Sequence, residues 1–452
     1  MKKLWQKETI INVELEAFET KDDIVLDQKL IPYDLLGTIA HILMLKKIGL
    51  LTTNECNEGI MGLRKMMTLF DKGQFEISFG EEDMHTKIET YLTEYYGDVG
   101  KKIHTGRSRN DQVLTALRLY TKEMLLNLSV EVVILTHILL TFAKAHEYVP
   151  LAGYTHMQKA MPSSLGMWAA SFAESLLDDL MSLGSTLTLV DQSPLGSAAG
   201  YGVPIPLDRG YSAQLLGFKR VQVNPVYCQN SRGKIEASVL SSVVQLLMTI
   251  NKITTDVLLF TTSEFNYFSI DQTLTSGSSI MPQKKNIDIA ELLRAKVHDV
   301  LASYVKVVSI SSNLPSGYNR DIQDTKKPLI ESLELSVSCV KMTKLLIQNL
   351  QPNNDALFAG MTSELLATHK AFSLVKEGMP FRVAYQKVGS HLEDLPKFSI
   401  DILKQSTHLG GTGNLQLSAL FHEVSKKKIS VITEKKKFSI QLQKLLKGGE
   451  TI

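Results

Sequence analysis

The stretch Ser276-Gly277-Ser278-Ser279-Ile280-Met281-Pro282-Gln283-Lys284-Lys285-Asn286 gathers hydroxyls, a flexible glycine, two lysines and two carboxamides within one short segment. A serine hydroxyl is a weak base in water, but beside an ammonium and backbone N–H donors in a dry pocket its alkoxide becomes accessible. The same donors would stabilise the dianion formed when a proton leaves a carbon next to a carboxylate. Gly, Ser and Lys are also common on surfaces, so these residues taken alone favour a solvated basic loop.

Other blocks carry similar potential. In His104-Thr105-Gly106-Arg107-Ser108-Arg109-Asn110-Asp111-Gln112, Ser108, Asn110 and Asp111 can cap a helix and Gly106 allows a sharp turn into it. Arg107 and Arg109 then stand where an anion would meet the helix N-terminus, although a well-capped helix with solvated arginines fits equally well. Gly153-Tyr154-Thr155-His156-Met157-Gln158 offers a hydroxyl donor beside a group that titrates near neutrality, suited to general acid or base work. A lone histidine is more often structural, and the same holds for His41 and for His85 in Glu82-Asp83-Met84-His85-Thr86. Leu314 to Lys326 holds Tyr318, Arg320, Gln323 and Lys326 ahead of a helix, which on its own reads as a solvated edge. The Gly/Pro-rich segment Ser193–Gly200 can present backbone amides to a carboxylate or serve as a bundle crossover.

The elements that must hold these residues are helices. Proline is absent between Pro32 and Pro150 and between Pro225 and Pro282, leaving room for long helices, and Leu35, Ile39, Ile42 and Leu43 recur at helical spacing. The first segment, to about residue 105, reads as helices of ordinary length, with Asp34, Gly37, Thr38 and His41 on the second of them. From Val113 to Val149 apolar residues cover nearly all sides, including Leu114, Leu117, Leu125, Leu128, Val132, Leu135, Leu139 and Phe142. A helix apolar all round is buried, here in a bundle, and oligomerisation follows as an expectation. Its most apolar part, Met124 to Ala143, is interrupted by Asn127, Glu131 and His137 and reads as a core helix and not a membrane span. Residues 231 to 265 and 286 to 313 read as long helices flanking the Ser276–Asn286 loop, so the loop can move without unfolding either. After Pro352 shorter helices are expected, with the lysine runs Lys426–Lys428 and Lys435–Lys437 on a solvated face.

Composition narrows the classes. A chain of 452 residues with 44% hydrophobic content can fill a large core and gives a soft prior of about three domains. Lys+Arg 49 against Asp+Glu 47 leaves a formal charge of +2, too small for the broad footprint of a nucleic-acid binder. Cys56, Cys228 and Cys339 are too few for a disulfide framework, so a reducing compartment is expected. The first residues, Met1 to Glu8, contain no apolar secretory segment.

In this order the blocks resemble the argininosuccinate lyase branch of the fumarase/aspartase superfamily over nearly the whole chain, most weakly after about residue 400. The resemblance implies an all-α fold of three helical domains, residues 1–106, 107–352 with the signature loop 276–286, and 353–452. Their long helices pool into the central bundle of a cytoplasmic homotetramer. It further implies a cofactor-free enzyme without metal, whose partners are argininosuccinate, arginine and fumarate, with neither nucleic acid nor membrane. Each active site would draw on three protomers, with Asn110, His156 and Ser278 each from a different one.

On this resemblance Ser278 is the base, activated by Lys284 and loop amides, and His156 is the acid for the departing nitrogen, its ring held by Glu291. Asn110, Thr155, Asn286, Tyr318, Gln323, Lys326, Arg107 and Ser108 bind substrate. The sequence also departs from the family: Lys159 and Met161 replace arginine and glutamine, Ile287 replaces proline, and Asp23 stands where a substrate-binding serine is usual. Two alternatives remain at this level. One is a lyase for another N-substituted aspartate such as adenylosuccinate, and the other is a catalytically idle, crystallin-like structural homologue.

Overall fold

A computed structural model describes residues 13–78, 81 and 83–448. Met1 to Glu8 and Glu82, both used above, lie outside the described residues. Helix α1, Val13–Lys47, is one continuous element that runs through Pro32, so Asp34 to His41 do not belong to a helix of ordinary length as expected. An interior proline removes one helical hydrogen bond and its ring crowds the preceding turn. The buried side chains of Leu30, Ile31, Leu35 and Ile39, on both sides of it, hold α1 against the core regardless. α2, Thr53–Asp71, starts at a capping box of Thr52 and Glu55, and α3, Met84–Tyr96, at Asp83, whose carboxylate accepts the Thr86 N–H at 2.8 Å. A single turn, α4, Asp98–Lys102, leads to α5.

α5, Arg109–Ala145, is the axis of the molecule. Leu114, Leu117, Leu125, Leu128, Val132, Leu135 and Leu139 are all buried, as an all-round apolar helix requires. Even Lys122, on the same helix, is 1% exposed, and its Nζ is balanced by Asp191 Oδ1 at 2.7 Å. α5, and the stretch Pro225–Phe260 made of α8, Pro225–Asn230, a turn at Gly233 and α9, Lys234–Phe260, are long and apolar enough to cross a membrane, yet more than half of each apolar window is buried within the protein.

A short hairpin follows α5: β1, Pro150–Thr155, pairs antiparallel with β2, Gln158–Ser164, and leads into α6, Leu165–Val190. β3, Gln192–Ser193, lies parallel to β4, Arg220–Val221, with α7, Arg209–Leu215, between them. β5, Phe268–Ile270, pairs with β6, Leu350–Pro352. Between these come α10, Asp288–Ser311, and α11, Lys326–Gln348, which pack with α5, α6 and α9 around one core.

The C-terminal part contains α12, Asn354–Ala359, α13, Ala367–Lys376, and α14, Phe381–Gly389. Ala371, Leu374, Ala384 and Val388 form a small core of their own. The expectation of short helices fails at the last one, α15, Leu417–Lys447, which is 31 residues long. Its buried Leu417, Val424, Phe438, Leu442 and Leu445 join the main core, the one-sided spacing of a helix whose opposite face carries the two lysine runs.

Candidate active site

The N-terminus of α5 is built for anions. Ser108 is its N-cap and its hydroxyl accepts the Asn110 N–H at 3.3 Å, while Asp111 Oδ1 accepts the Ser108 N–H at 2.9 Å. The other Asp111 oxygen accepts N–H donors from Gly196 and Ala198, each at 2.9 Å, and so fastens the Ser193–Gly200 loop to this helix end. Burial pushes the Asp111 carboxyl up to about 6 even though these amides and Arg107 favour its charged form. Arg107 turns inward, where its Nη1 donates to Thr38 Oγ1 at 2.9 Å.

Beside this helix end lies a cavity of about 220 Å³. Asn110, Tyr318, Gln323 and Lys326 line it, brought together from two distant stretches of chain. Its acidic wall consists of Asp23 and Asp27, one turn apart on α1, with Asp83. Lys326, the first residue of α11, is 4% exposed and its Nζ lies 2.5 Å from Asp23 Oδ1 and 2.6 Å from Asp27 Oδ1. Burial pulls the ammonium pKa down, but Asp27 and Asp23 outweigh it and hold it above the ordinary value. Asp23 is raised by burial against the opposing pull of Lys326, and it also accepts Gln323 Nε2 at 2.5 Å.

His85 lines the same cavity, with Nδ1 2.9 Å from Asp34 Oδ2. Burial works against its charge, yet Asp34, Asp83 and Asp27 together raise its pKa. Arg109 pairs with Asp83 at 3.3 Å and donates to Thr86 Oγ1 at 2.7 Å. Arg232 lies over the Tyr318 ring at 5.1 Å. Asp27 and Arg232 were not singled out from the sequence. For Arg232 the available signal was Ser231-Arg232-Gly233 just ahead of a long helix, with Gly233 at φ 78°.

Thr155, His156, Ser278, Lys284, Asn286 and Glu291 do not line this cavity. Thr155 and His156 sit exposed at the tip of the β1–β2 hairpin, where Thr155 pairs with Gln158 across a two-residue turn. Both turn residues are left-handed, His156 at φ 53° and Met157 at φ 63°, positions that usually take Asn or Gly. Strain of this kind, with the imidazole projected from the tip, is common at functional sites.

The signature loop is closed at its base by reciprocal hydrogen bonds, Ser276 N–H to Asn286 O at 3.0 Å and Asn286 N–H to Ser276 O at 2.8 Å. Within it Ser278 Oγ accepts the backbone N–H groups of Met281 at 3.1 Å and Ile280 at 3.3 Å. These are the amide donors an alkoxide needs. Lys284 and Glu291 are exposed, Glu291 in the first turn of α10, and Asn286 Nδ2 lies 3.4 Å from Ser276 Oγ.

Residues 10–302 match the family described as lyase. The chain is 42% identical to the argininosuccinate lyase of Thermotoga neapolitana, over 85% of this chain and 97% of that protein. It is 40% identical to that of Bacteroides thetaiotaomicron, over 93% of this chain and 95% of that protein. Among solved structures, EDDS lyase in complex with formate shares the fold at a TM-score of 0.82 and 20% identity, over 97% of this chain and 95% of that one. With the signature loop and the helix-end cavity in place beside these matches, the chain belongs to the argininosuccinate lyase family.

Proposed function

We propose that this protein is an argininosuccinate lyase, eliminating fumarate from argininosuccinate to leave arginine, in the cytoplasm and as a step of arginine biosynthesis. The similarity to argininosuccinate lyases along most of the chain carries this reading. In the reaction a base removes a proton from the succinyl Cβ, and the charge passes into the adjacent carboxylate. The Cα–N bond then breaks, its electron pair goes to the guanidino nitrogen, and an acid protonates that nitrogen.

Ser278 is the base in this reading, supported by the Ile280 and Met281 amides already directed at its oxygen. His156 is the acid and Glu291 its orienting partner. Lys284 neutralises charge on the succinyl carboxylates, to which Asn286 and Thr155 donate hydrogen bonds, while Asn110, Tyr318, Gln323 and Lys326 bind the remainder of the substrate. Arg107 and Ser108 act by holding the α5 end to which Asn110 belongs.

The site is completed in a homotetramer. The hairpin tip and the loop stand on the surface, apart from the cavity lining. Leu301, Val305 and Val308 form an exposed apolar stripe along α10, joined by Met248 on α9 and Met342 and Leu345 on α11. Residues 107–352 supply that bundle, flanked by residues 1–106 and 353–452.

Incubation of the purified protein with argininosuccinate should release fumarate, followed by ultraviolet absorbance, with arginine in equal amount. Fumarate release from adenylosuccinate instead would move the protein to the neighbouring activity. Release from neither would leave a structural homologue.

A further inference from the structure

In the α5-end cavity most cations are already balanced. Lys326 has Asp23 and Asp27, Arg109 has Asp83, and Arg320 has Glu19 at 3.4 Å. Two further cationic groups in the lining, His85 and Arg232, each keep a buried nitrogen without a hydrogen-bond partner. His85 is 6% exposed and uses Nδ1 on Asp34, which leaves Nε2 buried without a hydrogen-bond partner. Arg232 is 7% exposed, and its Nη1 is likewise buried and unpartnered.

A buried N–H without an acceptor is costly, more so when the group is charged, so two of them in one cavity wall mark a place for an anion. We propose that His85 and Arg232 together form a carboxylate clamp that takes the α-carboxylate of the substrate's arginine end. The proposal rests on the lyase reading for the identity of that substrate. The succinyl carboxylates belong in that reading to the Ser278 loop, which lies outside the cavity, so the arginine carboxylate is the one left for these donors. Asp23 and Asp27 supply the complementary charge for the α-ammonium beside it. Arg232 is further held by the Tyr318 ring, over which its guanidinium lies at 5.1 Å.

The test compares free arginine with agmatine, the same molecule without its carboxylate, by calorimetry on the intact protein. The wild type should bind arginine about tenfold or more tightly than agmatine, the gain expected from charge-assisted hydrogen bonds. His85→Ala and Arg232→Ala should each weaken arginine binding by about tenfold and leave agmatine nearly unchanged. KM for argininosuccinate should rise in parallel while kcat is largely kept.

If an alanine variant fails to fold, the conservative pair His85→Gln and Arg232→Lys decides, since each should still lower the arginine-to-agmatine ratio. An unchanged ratio in folded variants overturns the clamp, even if the wild type releases fumarate. Equal binding of arginine and agmatine by the wild type overturns it too. No fumarate release, with carboxylate-dependent arginine binding that the variants lose, would remove the lyase assignment and leave the clamp standing.

Discussion

At the scale of single residues, the proposed chemistry rests on a hydroxyl whose neighbours are prepared before substrate arrives. Ser278→Ala removes only the oxygen that the Ile280 and Met281 amides address, so the variant should fold, bind argininosuccinate and lose turnover by roughly a hundredfold or more. Near-normal fumarate release would take Ser278 out of the mechanism. Lys326→Ala should raise KM by about tenfold with a smaller change in kcat, and it should also lower stability, because Asp23 and Asp27 would face each other unpaired. An effect confined to kcat would contradict a binding role for Lys326. Much at this scale was legible in advance, since motif residues are named by type and order. Sequence order gave no sign that Asp23 and Asp27 would meet Lys326 from the far end of the chain, or that Arg232 would stack on Tyr318. Those contacts exist only once α1, α9 and α11 are packed together.

Among the elements, the long helices were readable because burial on every side leaves an apolar sequence, as in α5. Two features were not. Pro32 marks a helix boundary in isolation, but tertiary packing carries α1 through it, and the lysine runs of α15 mask the apolar spacing on its other face. The hairpin tip also carries no turn signature, because neither His156 nor Met157 is a usual turn residue. Relieving the left-handed strain with Met157→Gly should raise stability by about 1 kcal/mol, seen as a higher Tm, and no change would mean the turn is unstrained.

The contact between α6 and α9 contains a second testable feature. Asp179 is buried and accepts the Thr249 hydroxyl at 2.8 Å, and its carboxyl is pushed up to about 6, chiefly by burial, with a smaller push from Asp178. A carboxyl whose pKa is raised on folding contributes stability below its unfolded pKa and loses it as pH rises through the folded value. Asp179→Asn keeps an acceptor for Thr249 and removes the buried charge. It should therefore raise stability by on the order of 1–2 kcal/mol at about pH 8 and change it little near pH 4. Thermal melts at both values check the sign, and equal shifts at both would contradict it.

For the whole molecule, the separation of parts is the central feature. One chain gathers Asn110, Tyr318, Gln323 and Lys326 around a cavity, while Ser278 and His156 are presented outward on a loop and a hairpin tip beside exposed apolar helix faces. In the proposed assembly, neighbouring copies would cover those faces and bring the three groups together. The most direct measurement mixes two single variants, Ser278→Ala and His156→Ala, dissociates and reassembles them together, and follows fumarate release. Each alone should be nearly inactive, and the mixture should regain clear activity, because some sites then receive an intact serine from one copy and an intact histidine from another. A reassembled mixture no more active than its parents would contradict a site shared between protomers.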